Sequence, residues 1–417
     1  MARTDAVVLG AGIVGTSVAL HLAKRGLSVA LVDRGKPGEE TSYGNAGVIE
    51  GNTLFPPAFP PRLASVLRVA LKRSPEANYH LWFLPRVARW LLAFRAYSTL
   101  PRQTETAIAM RPLFARAVAE HEELMRESGA ERYLRKTGWM KIYRTDDALK
   151  ALEPELELAT KFGIPYQIFN ADTVRSVEPA LTPNFRHAIL WPEVASVTNP
   201  LAVTKAYVAR YHALGGVTLV GDARTLHRNG SHWRVDTAQG PLDAAHAVVA
   251  LGPWAPDVLE PLGIRLPLGI KRGYHRHFRT AGNTEMTRPV VDADNGYCVA
   301  PMEQGLRVTT GAEFAARDAL PTPVQFNRLM PRARDVFPLG EPAEDKTWLG
   351  KRPCFPDSRP VIGPASGQQA LWLAFGHAHW GLTLGPVTGR LVADLVTGAT
   401  PFCDPKPYAA ERFLRKT

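Results

Sequence analysis

Cysteine is scarce in this chain: Cys298, Cys354 and Cys403 are the 3 present in 417 residues, and they lie far apart. That spacing offers neither a disulfide framework nor a thiolate metal cluster, and it fits a reducing cytoplasm. No uninterrupted apolar run reaches the 18 residues or so that a membrane-crossing helix needs. Met1 to Thr4 pass straight into an apolar strand, which leaves no room for a cleavable leader. Internal repeats and low-complexity tracts are lacking too. Acid is in deficit, with Asp+Glu 39 against Lys+Arg 50 and a net charge of +11. Such a balance suits an anionic substrate, an acidic partner, nucleic acid or an anionic membrane surface, and does not choose among them. What remains is a globular protein, 45% hydrophobic and long enough for a large core and two or three structural units.

Against these absences stands the stretch Asp5 to Arg34, DAVVLGAGIVGTSVALHLAKRGLSVALVDR. Ala6 to Leu9 is an apolar strand, and Gly10, Gly12 and Gly15 follow at the G-x-G-x-x-G spacing. Ile13 to Lys24 has helical periodicity, Gly26 ends the helix, and Leu27 to Val32 is a second strand closed by Asp33. Each residue type has a physical role. Gly10 permits the turn, Gly12 lets a pyrophosphate approach the backbone, and Gly15 lets helix and sheet pack closely. The helix start at Ile13 and Val14 offers free N–H groups and a positive dipole end to phosphate. Asp33, about 20 residues on, can accept both hydroxyls of a ribose and disfavours a 2′-phosphate, so NADP is not expected. The small-residue segment Glu40 to Gly51 adds Thr41, Ser42 and Asn45 side chains, with backbone N–H groups at Ala46 and Gly47, for a second face of the dinucleotide.

With the N-terminal glycine motif, the acid followed by Arg34, and T-S-x-x-N-A-G, the chain resembles the D-amino-acid oxidase superfamily of FAD-dependent oxidoreductases, and within it the bacterial D-amino-acid dehydrogenase small subunits. The resemblance runs through nearly the whole chain. It implies an α/β protein, α+β overall: a Rossmann-like FAD-binding domain assembled from 1–55, 198–265 and 348–417, and an interleaved substrate domain on an antiparallel sheet from 56–197 and 266–347. It places Ala223 and Arg224 beside adenine, and Ala250, Gly252 and Trp254 over the flavin side. In GHAHWGLTLGP it brings Gly376 and His377 to the flavin, with the N–H groups of Gly381, Leu382 and Thr383 at the pyrimidine end of the ring. No histidine is assigned as a base.

The same resemblance gives Arg352, in G-K-R-P-x-x-P-D, the grip on the substrate carboxylate, a task suited to a guanidinium fork. The family's Thr and Gly in this motif are here Phe355 and Ser358. Tyr274, in R-G-Y on a strand, is expected to share the carboxylate. Strand alternation sets Tyr274 and Arg276 on one face and His275 and His277 on the other, which makes Arg276 the neighbour of Tyr274: a second cation if both face the pocket, favouring acidic or hydroxylated substrates, or else an arginine in solvent. Cys354 does not match the attaching cysteine of sarcosine oxidases, so FAD is expected to be held non-covalently, and no metal site is expected.

The implied activity is oxidation of D-amino acids, D-proline and D-hydroxyproline among them, by hydride transfer to flavin, with electrons passed to quinone or another acceptor. Alternatives are an oxygen-using oxidase of the glycine or sarcosine oxidase kind, or an FAD-dependent tRNA-modification protein. The tRNA reading lacks a fused methyltransferase domain and an aromatic stacking motif. Arg62 to Arg73 and Leu81 to Phe94 read as basic amphipathic helices, with Trp82, Phe83 and Trp90 beside Arg86 and Arg89. They suit either packing on the substrate domain or peripheral contact, through 62–97, with the inner face of a membrane.

Overall fold

A computed structural model describes residues 2–60, 63–282 and 285–413. β1 (Ala2–Leu9) turns into α1 (Ile13–Lys24), and β2 (Val29–Asp33) returns parallel to β1, with Ala6 opposite Val29 and Leu9 opposite Val32. Ala6 to Leu9 and Val29 to Val32 are buried throughout, which is why both strands read as unbroken apolar runs rather than alternating ones. Val217–Asn229 extends the sheet beyond β2, while Gly240–Val249 and Leu371–Phe375 extend it beyond β1, all parallel; Val361–Pro364 closes the edge antiparallel. Only Val217 to Val220 pairs with β2. The strand runs on to Asn229, its far half pairing with His232–Thr237.

Three helices follow the first unit: α2 (Leu63–Ala70), α3 (Leu84–Tyr97) and α4 (Leu100–Ser128). Arg62, the expected start of the first of these, lies outside the described residues. α4 buries Met110, Leu113, Phe114, Ala117 and Leu124 in one core with α1 and the sheet behind it. Although the sequence boundary put 56–197 in the second unit, this helix is part of the first unit's core.

The second sheet is built around β3 (Gly269–Thr280). β3 pairs antiparallel with Gly305–Thr309 and with β4 (Trp348–Cys354), with Lys271 opposite Arg352 and Tyr274 opposite Leu349. β4 therefore belongs to this sheet, and the boundary expected at 348 falls after Cys354. The reason is that its chain must cross from one sheet to the other before Val361–Pro364 can pair with Leu371–Phe375.

α5 (Gly381–Thr397) lies along α1. Gly385 faces Ile13 and Gly389 faces Ser17, where a Cβ would stand 2.5 Å from the Ser17 carbonyl oxygen. The contacts advance together along both helices, so the two run parallel and their N-termini emerge at one end of the first sheet. Both termini border the same cavity, which carries two positive dipole ends.

Candidate active site

The cavity has a volume of about 1250 Å³ and is continuous from Gly12 to Arg352. That exceeds the roughly 300–1,000 Å³ of a pocket for one drug-sized ligand and leaves room for a dinucleotide with a small molecule beside it. At the dinucleotide end the backbone is shaped for close approach. Gly10 has φ 104°, and a Cβ there would stand 2.6 Å from the Ala250 carbonyl oxygen; a Cβ on Gly15 would fall on the Gly10 carbonyl. Gly15 itself is behind the wall, which Gly10, Gly12, Ile13 and Val14 form. The N–H of Ile13 donates to Ser42 Oγ at 2.9 Å, while the first-turn N–H groups of Val14 and Gly15 have no carbonyl partner within the helix. Asp33 accepts from Ala11 N at 2.7 Å and from Gly35 N at 2.9 Å, which fixes its carboxylate on the wall with lone pairs to spare. Arg34 stacks over Trp254 at 4.4 Å, Gly252 turns the chain at φ 53°, and Arg224 forms a fork with Asp222 on the same rim. These residues fit FAD: an acid at the ribose end, a Cβ-free turn and unpaired N–H groups where phosphate would lie.

Farther in, Thr41 Oγ1 donates to Lys351 O at 2.9 Å and Asn45 Nδ2 to His379 O at 3.1 Å, so the small-residue segment is tied to the facing sheet and the α5 approach. Ala46 lines the cavity; Gly47, at φ 78°, is behind it against Val197. Gly376 turns at φ 87° against the Phe355 ring. His377 hydrogen-bonds Thr388 Oγ1 through Nε2 at 3.0 Å, and burial lowers its pKa to about 3, so it is neutral. At the start of α5 no side chain caps the helix, and Gly381 and Leu382 line the cavity. The Thr383 side chain is instead turned away, its hydroxyl donating to Val48 O at 3.0 Å.

Arg352 stands at the far end. Its Nη1 donates to Gly311 O at 2.8 Å and Nη2 to Thr310 O at 2.9 Å, and its guanidinium lies flat on Gly273. Among the described residues no carboxylate pairs with it. Tyr274 does not join it, contrary to expectation. The pairing of Lys271 with Arg352 puts Lys271, Gly273 and Arg352 on one face of the sheet, and Tyr274 on the other with Arg272. There the Tyr274 hydroxyl donates to Glu313 Oε2 at 2.9 Å and accepts from Thr322 N at 2.7 Å, within a buried Arg272–Glu313 ion pair. Arg276 shares that face but reaches outward to Glu344 O and Asp345 O.

Several chamber residues escaped the sequence reading. Lys271 is on the wall, 3.9 Å from the Phe94 ring centroid and 5.2 Å from that of Trp90. α3 covers this end, with Trp90 Nε1 donating to Cys354 O at 3.2 Å. Lys141 lies 3.7 Å from Glu155; burial works against its charge, but Glu155, Tyr143 and Glu50 outweigh it and raise its pKa. Burial raises the Glu50 pKa, and its carboxyl accepts from Trp380 Nε1 at 3.3 Å and from Thr53. His379, between these groups, is lowered to about 3 by burial and by Arg352, Lys271 and Lys141. Glu50, Lys141 and Glu155 come from three distant segments, so no local signal could have joined them.

Across the sheet face, His275, His277 and Glu344 bring three ligand-type atoms within 4.8 Å of one another. Arg307 Nε donates to His277 Nε2 at 2.9 Å and Glu344 Oε1 is 2.8 Å from Nδ1, so both ring nitrogens of His277 already have partners within the protein.

A model of the DAO family, described as FAD dependent oxidoreductase, matches residues 5–395. The chain is 30% identical to a D-amino-acid oxidase of Bradyrhizobium diazoefficiens over 415 residues, 98% of each chain. It is also 30% identical to a D-amino acid dehydrogenase of Xylella fastidiosa, over 94% of this chain and 91% of that one. Among solved structures, glycine oxidase from Geobacillus kaustophilus superposes with a TM-score of 0.77 and 23% identity over 100% of both chains. L-proline dehydrogenase from P. horikoshii superposes at 0.76 and 19%, over 99% and 98%. The two structures share the fold.

Proposed function

Because the chain belongs to the DAO family of FAD-dependent oxidoreductases, we propose that it is a dehydrogenase of D-amino acids, D-proline and D-hydroxyproline among them, that passes electrons to a quinone. The observation that carries the reading is Arg352: a guanidinium with no acid partner among the described residues, anchored on two backbone carbonyls, in the cavity that begins at the dinucleotide turn. A fork so placed grips a carboxylate in two parallel hydrogen bonds and fixes the α carbon's direction. Bound FAD, held without a covalent link, supplies the hydride acceptor. The chain holds the substrate, sets its protonation and keeps water out. The cations of Arg352 and Lys271 favour a neutral α-amine over an ammonium, the form from which hydride leaves. Trp90 and Phe94 on α3 close the chamber above them. The imine product hydrolyses to the 2-oxo acid and ammonia.

The location that follows is the cytoplasmic face of the cell membrane, with contact through 62–97. There Leu63, Leu67, Leu71, Leu81, Trp82 and Leu92 are exposed on a segment that also carries Arg68, Arg73, Arg86 and Arg89, a composition suited to an anionic interface. No helix among the described residues is long and apolar enough to cross a membrane.

Anaerobic mixing with D- and L-amino acids, glycine, sarcosine and hydroxyproline isomers tests the reading through the visible flavin band. Bleaching by D-isomers, reversed quickly by a soluble quinone and slowly by air, is the expected result. Rapid reversal by air would make the protein an oxidase, and flavin that no amino acid reduces would overturn the reading.

A further inference from the structure

The sheet wall of the chamber sets two cations side by side. Arg352 and Lys271 are cross-strand partners on one face of the sheet, which places their Cβ atoms about 5 Å apart. Among the described residues neither has a carboxylate within ion-pair distance. Lys141, a further cation on the wall, has Glu155 beside it. Glu50 is held by Thr53 and Trp380 rather than by a lysine or arginine. On this face of the sheet the groups left without an opposite charge are therefore two cations, Arg352 and Lys271. Cations enclosed without partners are costly, and a ligand that brings the missing anions recovers that cost. One α-carboxylate answers Arg352 and leaves Lys271 unmatched.

We propose that Arg352 and Lys271 form a two-anion site and that the preferred substrates are amino acids with a second carboxylate on the side chain, of the aspartate and glutamate class. The proposal rests on the amino-acid reading above and names the substrate within it. One or two methylenes separate the carboxylates to a length that spans the tips of cross-strand neighbours. With its amine neutral, such a substrate is a dianion facing two cations. The contact of Lys271 with the Phe94 and Trp90 rings supports its stem but contributes no negative charge. Lys271→Met keeps the stem against those rings and removes only the ammonium.

The test uses FAD-loaded protein and unreactive ligands: succinate and glutarate against propionate and butyrate, titrated by perturbation of the flavin spectrum at pH 7.5. The dicarboxylates are expected to bind at least about tenfold more tightly, one charge-assisted contact's worth. In Lys271→Met that ratio is expected to fall below about threefold. A ratio near one in the unaltered protein overturns the proposal, whether or not the variant folds; so does a ratio that Lys271→Met leaves unchanged. Anaerobic reduction by D-alanine as efficient as by D-glutamate would sink the proposal while leaving the D-amino-acid reading intact. Dicarboxylate binding that depends on Lys271, in a protein whose flavin no amino acid reduces, would uphold the site and refute the activity.

Discussion

Gly273→Ala would move the proposed carboxylate anchor without touching its charge. Gly273 is on a strand, outside the left-handed backbone region, so alanine is conformationally allowed. The added Cβ would stand 2.5 Å from Arg352 Nη2, 2.7 Å from Cζ and 2.8 Å from Nη1. Ordinary contact begins near 3.5 Å, so the guanidinium must retreat by about 1 Å. That retreat stretches its bonds to Gly311 O and Thr310 O, now 2.8 and 2.9 Å. A displacement of this size costs about 100-fold in rate, equivalent to about 2.7 kcal/mol. The part that gives way is the tip of a flexible side chain, so stability should change by less than about 1 kcal/mol. FAD content and thermal midpoint are measured first, then the limiting rate and Kd of anaerobic flavin reduction. Arg352→Lys is the comparator: it keeps the charge but loses the fork, and should weaken binding by about tenfold or more. A folded, FAD-loaded Gly273→Ala protein reduced at the original rate and Kd would show that Arg352 does not hold the carboxylate.

Gly10→Ala would place a methyl against the Ala250 carbonyl at a φ of 104°, so it should purify with little FAD; full cofactor content would refute the role of the turn. Burial lowers the pKa of His21 to about 3 and of His377 to about 3, with nearby Lys24, Arg25 and Arg390 adding to the effect at His21, and burial lowers His121 to about 4. The native protein keeps them neutral while the unfolded chain protonates them below about pH 6.5. Their contribution is therefore whole above pH 6.5 and is lost as pH falls toward 4, each by roughly 1.4 kcal/mol per unit. Denaturant unfolding from pH 7 to 5 should show that slope, and His121→Gln should reduce it by one proton; an unchanged slope would show that His121 does not contribute it. Leu67→Glu with Trp82→Ala should reduce co-sedimentation with vesicles of anionic lipid at low salt by about tenfold or more, and equal sedimentation would remove α2 and the turn before α3 from the proposed membrane face.

The dinucleotide unit was legible because its reasons are local. Strand, turn, helix and acid are consecutive, and Gly10 and Gly15 answer backbone approaches to the adjacent strand at Ala250 and within the same unit. The antiparallel platform was legible from alternation, and alternation also correctly grouped Tyr274 with Arg276. What it could not supply is which of two faces meets the cavity. That depends on how β3 pairs with β4, a contact between segments some 80 residues apart in sequence, and a shift of one residue in that pairing would exchange the faces. With Lys271 opposite Arg352, Tyr274 is turned into the Arg272–Glu313 network and Arg276 toward Glu344 and Asp345. The expected tyrosine was thus displaced, and Arg276 with it took the solvent-side alternative, by one fact of register. The same fact brings Lys271 into the chamber. β4 likewise appeared to belong to the cofactor unit because the motif around Arg352 continues toward α5, whereas its hydrogen bonds are made with β3. The proposed carboxylate anchor, sequence-adjacent to the cofactor fold but paired into the second sheet, joins the two units at the point where the proposed reaction requires them aligned.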